Sequence, residues 1–156
     1  DSVLPELYAL YNNKLSEKPK VRFYDGVSGI VDIYESLTYT EKLDAIGSPL
    51  LIEQYLGKYL KKTIENVITP KLRIRELIPH KQNKAFYHKY YEKPYHEYRL
   101  LPQEMNLKTD MLLYENKVVM IAYGENLHAV VIEDSNIVGT QKALFEILWN
   151  NAETIK

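Results

Sequence analysis

Apolar residues recur along this chain with two periods, and the changes between them mark out its elements. Leu4, Leu7, Tyr8, Leu10, Tyr11 and Leu15 fall at helical spacing, so a short amphipathic helix is expected over residues 4–15. A polar connector containing Pro19 leads to a strand over residues 21–24, halted by Asp25-Gly26. Val27, Ile30, Val31, Ile33, Tyr34 and Leu37 then line one face of a helix, with Asp25 or Ser28 as its cap. A second strand over residues 42–46 closes at Gly47-Ser48-Pro49, where a capping serine followed by proline starts a long helix. Its buried face is read as Leu51, Tyr55, Leu56, Tyr59, Leu60, Ile64, Val67 and Ile68, and Pro70 ends it.

The second half of the chain is richer in strands. Residues 72–78 form a third strand, residues 81–91 a polar helix and residues 95–101 a fourth strand ended by Pro102. Two apolar runs around Glu115-Asn116 read as a hairpin, and a further strand covers residues 128–133. Asp134 or Ser135 caps a last helix with Leu144, Phe145, Leu148, Trp149 and Ala152 at i, i+3/i+4 spacing. Early β-α alternation calls for parallel strands joined by crossover helices, and the later run for antiparallel hairpins. The expected fold is α/β: one mixed β-sheet with helices on both faces.

Composition changes this picture in three places. The chain has no cysteine, which removes disulfides, thiolate metal sites and a cysteine nucleophile. Its net charge of −1 argues against a surface built throughout for nucleic acid, yet residues 58–99 hold eleven Lys/Arg against four Asp/Glu, a local charge of +7. Tyrosine is over-used, with 14 copies against 3 Phe and 1 Trp, a pattern suited to partly wet pockets and interfaces. No apolar run is long enough to span a bilayer and the first residues do not form a signal peptide, so a cytoplasmic protein is expected.

Catalytic patterns are missing. There is no Walker loop, dinucleotide fingerprint or G-x-S-x-G elbow. His88 and His96 stand eight apart across Pro94, which is not ligand spacing on a helix, so no metal is expected. The two are read instead as partly exposed aromatics beside a cleft or a partner. The carboxylates Asp25, Asp44, Asp110, Glu133 and Asp134 are scattered, and Asp25 and Asp134 sit where helix caps belong. A binding or sensor module that needs no cofactor is expected rather than an enzyme.

Four segments in order carry a resemblance. Lys18-Pro19-Lys20-Val21-Arg22-Phe23-Tyr24-Asp25-Gly26, Tyr98-Arg99-Leu100-Leu101-Pro102, the hairpin from Leu113 to Ile121, and Ala143-Leu144-Phe145-Glu146-Ile147-Leu148-Trp149 resemble the effector domain of TrmB-like transcriptional regulators. The resemblance implies half of a phospholipase D fold, with residues 1–17 as the end of a linker helix and residues 18–156 as a single effector or sensor domain. It also implies a homodimer, a small-molecule or anionic effector, and contact with DNA only through a winged helix outside this chain. No membrane partner is implied.

Phospholipase D enzymes need H-x-K-x-x-x-x-D before the hairpin. Setting Lys108 on the lysine position leaves Asn106 and Leu113 in the other two, so the nucleophile is missing. The expected ligand residues lie at the C-terminal ends of strands, where open α/β sheets keep their crevices: Tyr24, Gly47, Ser48, His80 and Lys108, with Arg75 and Arg99 supplying charge. The backbone after Ser48 is also a helix N-terminus fit to hold an anion. Two other readings stand beside this one: a phosphodiesterase with a displaced catalytic set, and a free-standing interaction module using the tyrosine-rich residues 86–98.

Overall fold

A computed structural model describes residues 5–7, 18–79, 93–102 and 105–154, without the side chains of residues 60 and 64. The expected helix over residues 81–91 and most of that over residues 4–15 lie outside them. The described strands are β1 (Lys20–Asp25), β2 (Lys42–Ile46), β3 (Arg73–Ile78), β4 (His96–Leu100), β5 (Thr109–Tyr114), β6 (Lys117–Ala122), β7 (His128–Glu133) and β8 (Glu153–Thr154). The helices are α1 (Gly26–Ser36), continued by a 3-10 turn over Leu37–Tyr39, α2 (Pro49–Val67) and α3 (Ser135–Asn151).

All eight strands join one sheet in the order β1-β7-β6-β5-β2-β3-β4-β8. β2, β3 and β4 are parallel, and every other pairing is antiparallel. The mixed sheet agrees with the chain's pattern, but β1 does not join β2. It crosses to the far edge and pairs with β7, so the β5–β6–β7 meander separates two strands that point the same way. Local alternation carries no information on such a long-range choice. The two-residue strand β8 is too short to leave a pattern and was not expected.

Period-two alternation along the strands sends side chains to two cores. Leu43, Ala45, Ile74, Leu112, Tyr114, Val119, Ile121, Ala129 and Val131 meet Ile30, Ile33 and Tyr34 of α1 and Leu56 and Val67 of α2 on one face. Leu77, Leu113 and Val118 meet Val138, Phe145 and Trp149 of α3 on the other. Asp134 caps α3 as expected, its Oδ1 accepting from the Ile137 N–H at 2.8 Å. Asp25 stands at the N-cap of α1 but makes no side-chain cap bond; Gly26, at φ 69°, turns the chain there.

The helical pattern overstates burial at two positions. Tyr59 is 56% exposed and Leu144 is 50% exposed, because each helix buries a narrower stripe than its apolar residues occupy. Leu56→Ala should therefore cost about 2–5 kcal/mol of stability, whereas Tyr59→Ala one turn away should cost less than about 0.5 kcal/mol. Urea unfolding of the two variants separates these outcomes.

Candidate functional site

The C-terminal ends of β2 and β3 and the start of β5 meet at one edge of the sheet. The ladder runs on past the strand ends there: Gly47 N–H donates to the Leu77 carbonyl at 3.1 Å, and Tyr123 N–H to the Lys108 carbonyl at 3.1 Å. Ile46 pairs with Met111, which brings Gly47 beside Asp110. Asp110 is in phase with Leu112 and Tyr114, so its side chain turns into the α1/α2 core and is 2% exposed.

That carboxylate is fully engaged. Its Oδ1 accepts from the Ser48 backbone N–H at 2.9 Å, at the head of α2, and its Oδ2 accepts from the Tyr123 hydroxyl at 2.6 Å. Tyr123 also shares a side-chain hydrogen bond with Tyr34 of α1, and its ring lies against Tyr55 of α2. Gly47 has no side chain because there is no room for one: a Cβ would stand 2.7 Å from Asp110 Oδ1. Deeper in the same core Glu76 Oε2 and His96 Nε2 meet at 2.9 Å, both residues buried. Between these groups lies a narrow cavity of about 50 Å³, walled mainly by apolar side chains of α1, α2 and β2, with Asp110, Glu76 and His96 as its polar groups. It holds a few water molecules at most.

Burial pushes the Asp110 carboxyl up to about 7; the bonds from Tyr123 and Ser48 oppose the rise, and the nearby Glu76 adds to it. Burial likewise holds Tyr123 protonated, as a donor to Asp110.

The expected site residues divide into three sets. Gly47 and Ser48 frame Asp110, and Lys108 is exposed at the same edge, two residues before it. Tyr24 packs in the α1 core against Gly29. Arg75 and Arg99 lie on the opposite face of the sheet, committed within the domain. Arg75 is bidentate to Asp44 at 2.7 and 2.8 Å, also pairs with Glu146, and stacks near Phe145 and Trp149. Arg99 binds Glu97 and the Trp149 carbonyl, with its guanidinium 4.3 Å from the Trp149 ring centroid. His80 lies outside the described residues. His96, expected to be partly exposed, is buried on Glu76 because its even phase in β4 points it inward with Tyr98 and Leu100.

No protein-family model matches the sequence, and no curated protein does. Solved structures do. NucT from Helicobacter pylori superposes with a TM-score of 0.63 at 10% identity, over 88% of this chain and 100% of that one. Nuc from Salmonella typhimurium, a phospholipase D family member, gives 0.60 at 11% identity over 89% and 99%. This chain has a phospholipase D-like fold. TrmBL2, described as an archaeal chromatin protein with a novel mode of DNA binding, gives 0.58 at 17% identity. The match covers 99% of this chain but 66% of TrmBL2.

Within a phospholipase D-like fold the absent motif can be checked position by position. None of His80, His88, His96 and His128 is followed two residues later by a lysine. With Lys108 on the lysine position, Asn106 is exposed and Leu113 is buried under α3, on the face away from Asp110. Among the described residues no three His, Asp or Glu side chains converge as metal ligands would.

Asp110, Glu76 and Tyr123 were not singled out by motif. Their signal was phase: an acid in register with Leu112 and Tyr114, and another in register with Ile74 and Ile78, on strands whose inward positions are otherwise apolar.

Two tests follow from this geometry. Gly47→Ala drives a methyl into the Asp110 carboxylate and should cost about 1–3 kcal/mol, with most of the loss absent when Asp110→Ala is combined with it. Additive losses in that cycle would show that the two residues do not meet. The second test is pH. The folded chain keeps the Asp110 proton up to about pH 7, whereas the unfolded chain releases it near 3.8. This group's contribution is therefore complete below pH 4 and is lost as pH rises through 7, with an amplitude on the order of 4 kcal/mol. Asp110→Asn keeps an acceptor for Ser48, so its stability relative to wild type should climb from pH 4 to 8; a constant difference across that range excludes the assignment.

Proposed function

We propose that this chain is a non-catalytic regulatory domain, the effector half of a TrmB-like regulator that senses a small molecule, dimerises, or does both. The observation that carries the reading is the buried Asp110 carboxylate on the Ser48 N–H. The head of α2, at the strand ends where such sheets hold anions, is filled by the chain's own carboxyl group. A phosphodiester entering there meets that carboxyl, negatively charged above about pH 7, where a donor is needed, and meets no histidine among the described residues to attack phosphorus.

The match to TrmBL2 supports the regulator side of the proposal: it runs through nearly the whole of this chain and leaves about a third of TrmBL2 for other parts. DNA contact then belongs to a winged helix outside this chain. No described helix is long and apolar enough to cross a membrane, which accords with a cytoplasmic regulator. The effector suited to the edge around Lys108 and Ser48 is a small polar molecule without a strong negative charge of its own. Anions are favoured only at acidic pH, where Asp110 holds its proton.

A thermal-shift screen against sugars, sugar phosphates, nucleotides and inorganic phosphate tests the sensor, since a ligand at 100 times its Kd stabilises a fold by about 2.7 kcal/mol. Uncharged sugars are expected to shift the melting temperature more than phosphates at pH 8. The same protein should show no turnover of bis(p-nitrophenyl) phosphate at any pH. Hydrolysis that disappears in Lys108→Ala would overturn the non-catalytic reading.

A further inference from the structure

The two faces of the sheet are unequally covered. α1 and α2 share one face; among the described residues α3 alone covers the other, and it packs over β5 and β6. Beyond it a cross-strand row of apolar residues, Phe23, Val130, Met120 and Met111, runs from the β1 edge inward. Phe23 is 74% exposed, Met120 40%, and Val21 on the same face of β1 49%.

α3 adds a second apolar stripe turned away from its core side, with Leu144 50% and Ile147 62% exposed. Its two charged residues are both turned to the domain: Lys142 binds the Glu115 carbonyl and Glu146 binds Arg75. The rest of its exposed surface, which includes Asn136, Ile137, Gly139, Thr140, Ala143 and Asn150, carries no charge. Gly139 has open space where a Cβ would be, so none of the described residues requires a glycine at that helical position.

We infer that this face binds a second copy of the chain, α3 against α3 about a two-fold axis passing near Ala143, the midpoint of the helix. Charge decides the partner. On this side of the sheet the charged residues gather on β2, β3 and β4, among them Lys42, Asp44, Arg73 and Arg99, while the exposed rows of β6, β7 and β1 are apolar except at one end, where Asp25 stands opposite His128. A two-fold axis lays the uncharged outer face of one α3 on its twin, with the helix dipoles opposed. A nucleic acid or a charged peptide finds nothing on that helix face to pair with. The area suffices: a 17-residue helix beside three strands offers roughly 25 by 20 Å per copy, about 1,000 Å² in total, the lower limit for a specific interface. The inference deepens the dimerisation part of the proposed function and rests on it.

The absence of cysteine makes the test clean. Ala143→Cys should cross-link to a doubled mass under mild oxidation, whereas Lys58→Cys, on α2 across the sheet, should not. Leu144→Glu should weaken self-association about 100-fold in sedimentation equilibrium while leaving the circular dichroism unchanged; Ile147→Lys serves if that variant misfolds. Equal cross-linking at both positions, or a dimer indifferent to Leu144→Glu, overturns this surface and leaves dimerisation standing. A wild-type monomer at every concentration overturns both.

Discussion

Asp110 ties together three elements that are far apart in the chain. Its carboxylate takes one hydrogen bond from the head of α2 and one from the tyrosine that follows β6, while its own backbone belongs to β5. Each contact constrains a neighbour. Ser48 must present its N–H, Gly47 must lack a side chain, and Tyr123 must keep its proton. Removing such a group from water is costly, which is why the carboxyl rises to about 7 rather than staying an ordinary acid. The edge of the sheet that in an open α/β fold invites an anion is thereby filled from within.

The opposite face is organised by arginine. Arg75 spans β3, β2 and α3 through Asp44 and Glu146, and Arg99 fastens β4 to the end of the same helix at Trp149. Both guanidinium groups lie near the rings that α3 places against the sheet. These clamps hold α3 toward the parallel strands, and among the described residues no helix covers the β7–β1 side. The division of labour between faces follows: acid and tyrosine close the strand-end cleft on one side, and arginines position a helix with an uncharged outer surface on the other.

Much of the fold was legible in residue order. The described strands and helices β1–β7 and α1–α3 are close to where alternation and helical spacing place them, and the cap at Asp134 is a local matter of one side chain and one N–H. The candidate site was legible in outline only. Gly47 and Ser48 follow from the turn chemistry at a strand end, yet the partner that gives them meaning lies about sixty residues away, at Asp110. Arg75 and Arg99 read as free charge along the chain because Asp44, Glu146 and the Trp149 carbonyl are remote in sequence.

What the sequence determined by itself is therefore the set of described local elements, their type and approximate ends, and the absence of a phospholipase D motif. Those depend on neighbours within a few residues and on residue identity. Only the tertiary structure decided that β1 crosses to the far edge, that His96 is buried on Glu76, that Leu144 faces outward and that a carboxylate occupies the head of α2. Each is a long-range choice, settled by which distant surface is buried and which donor an acid finds there, and spacing along a single chain does not encode it.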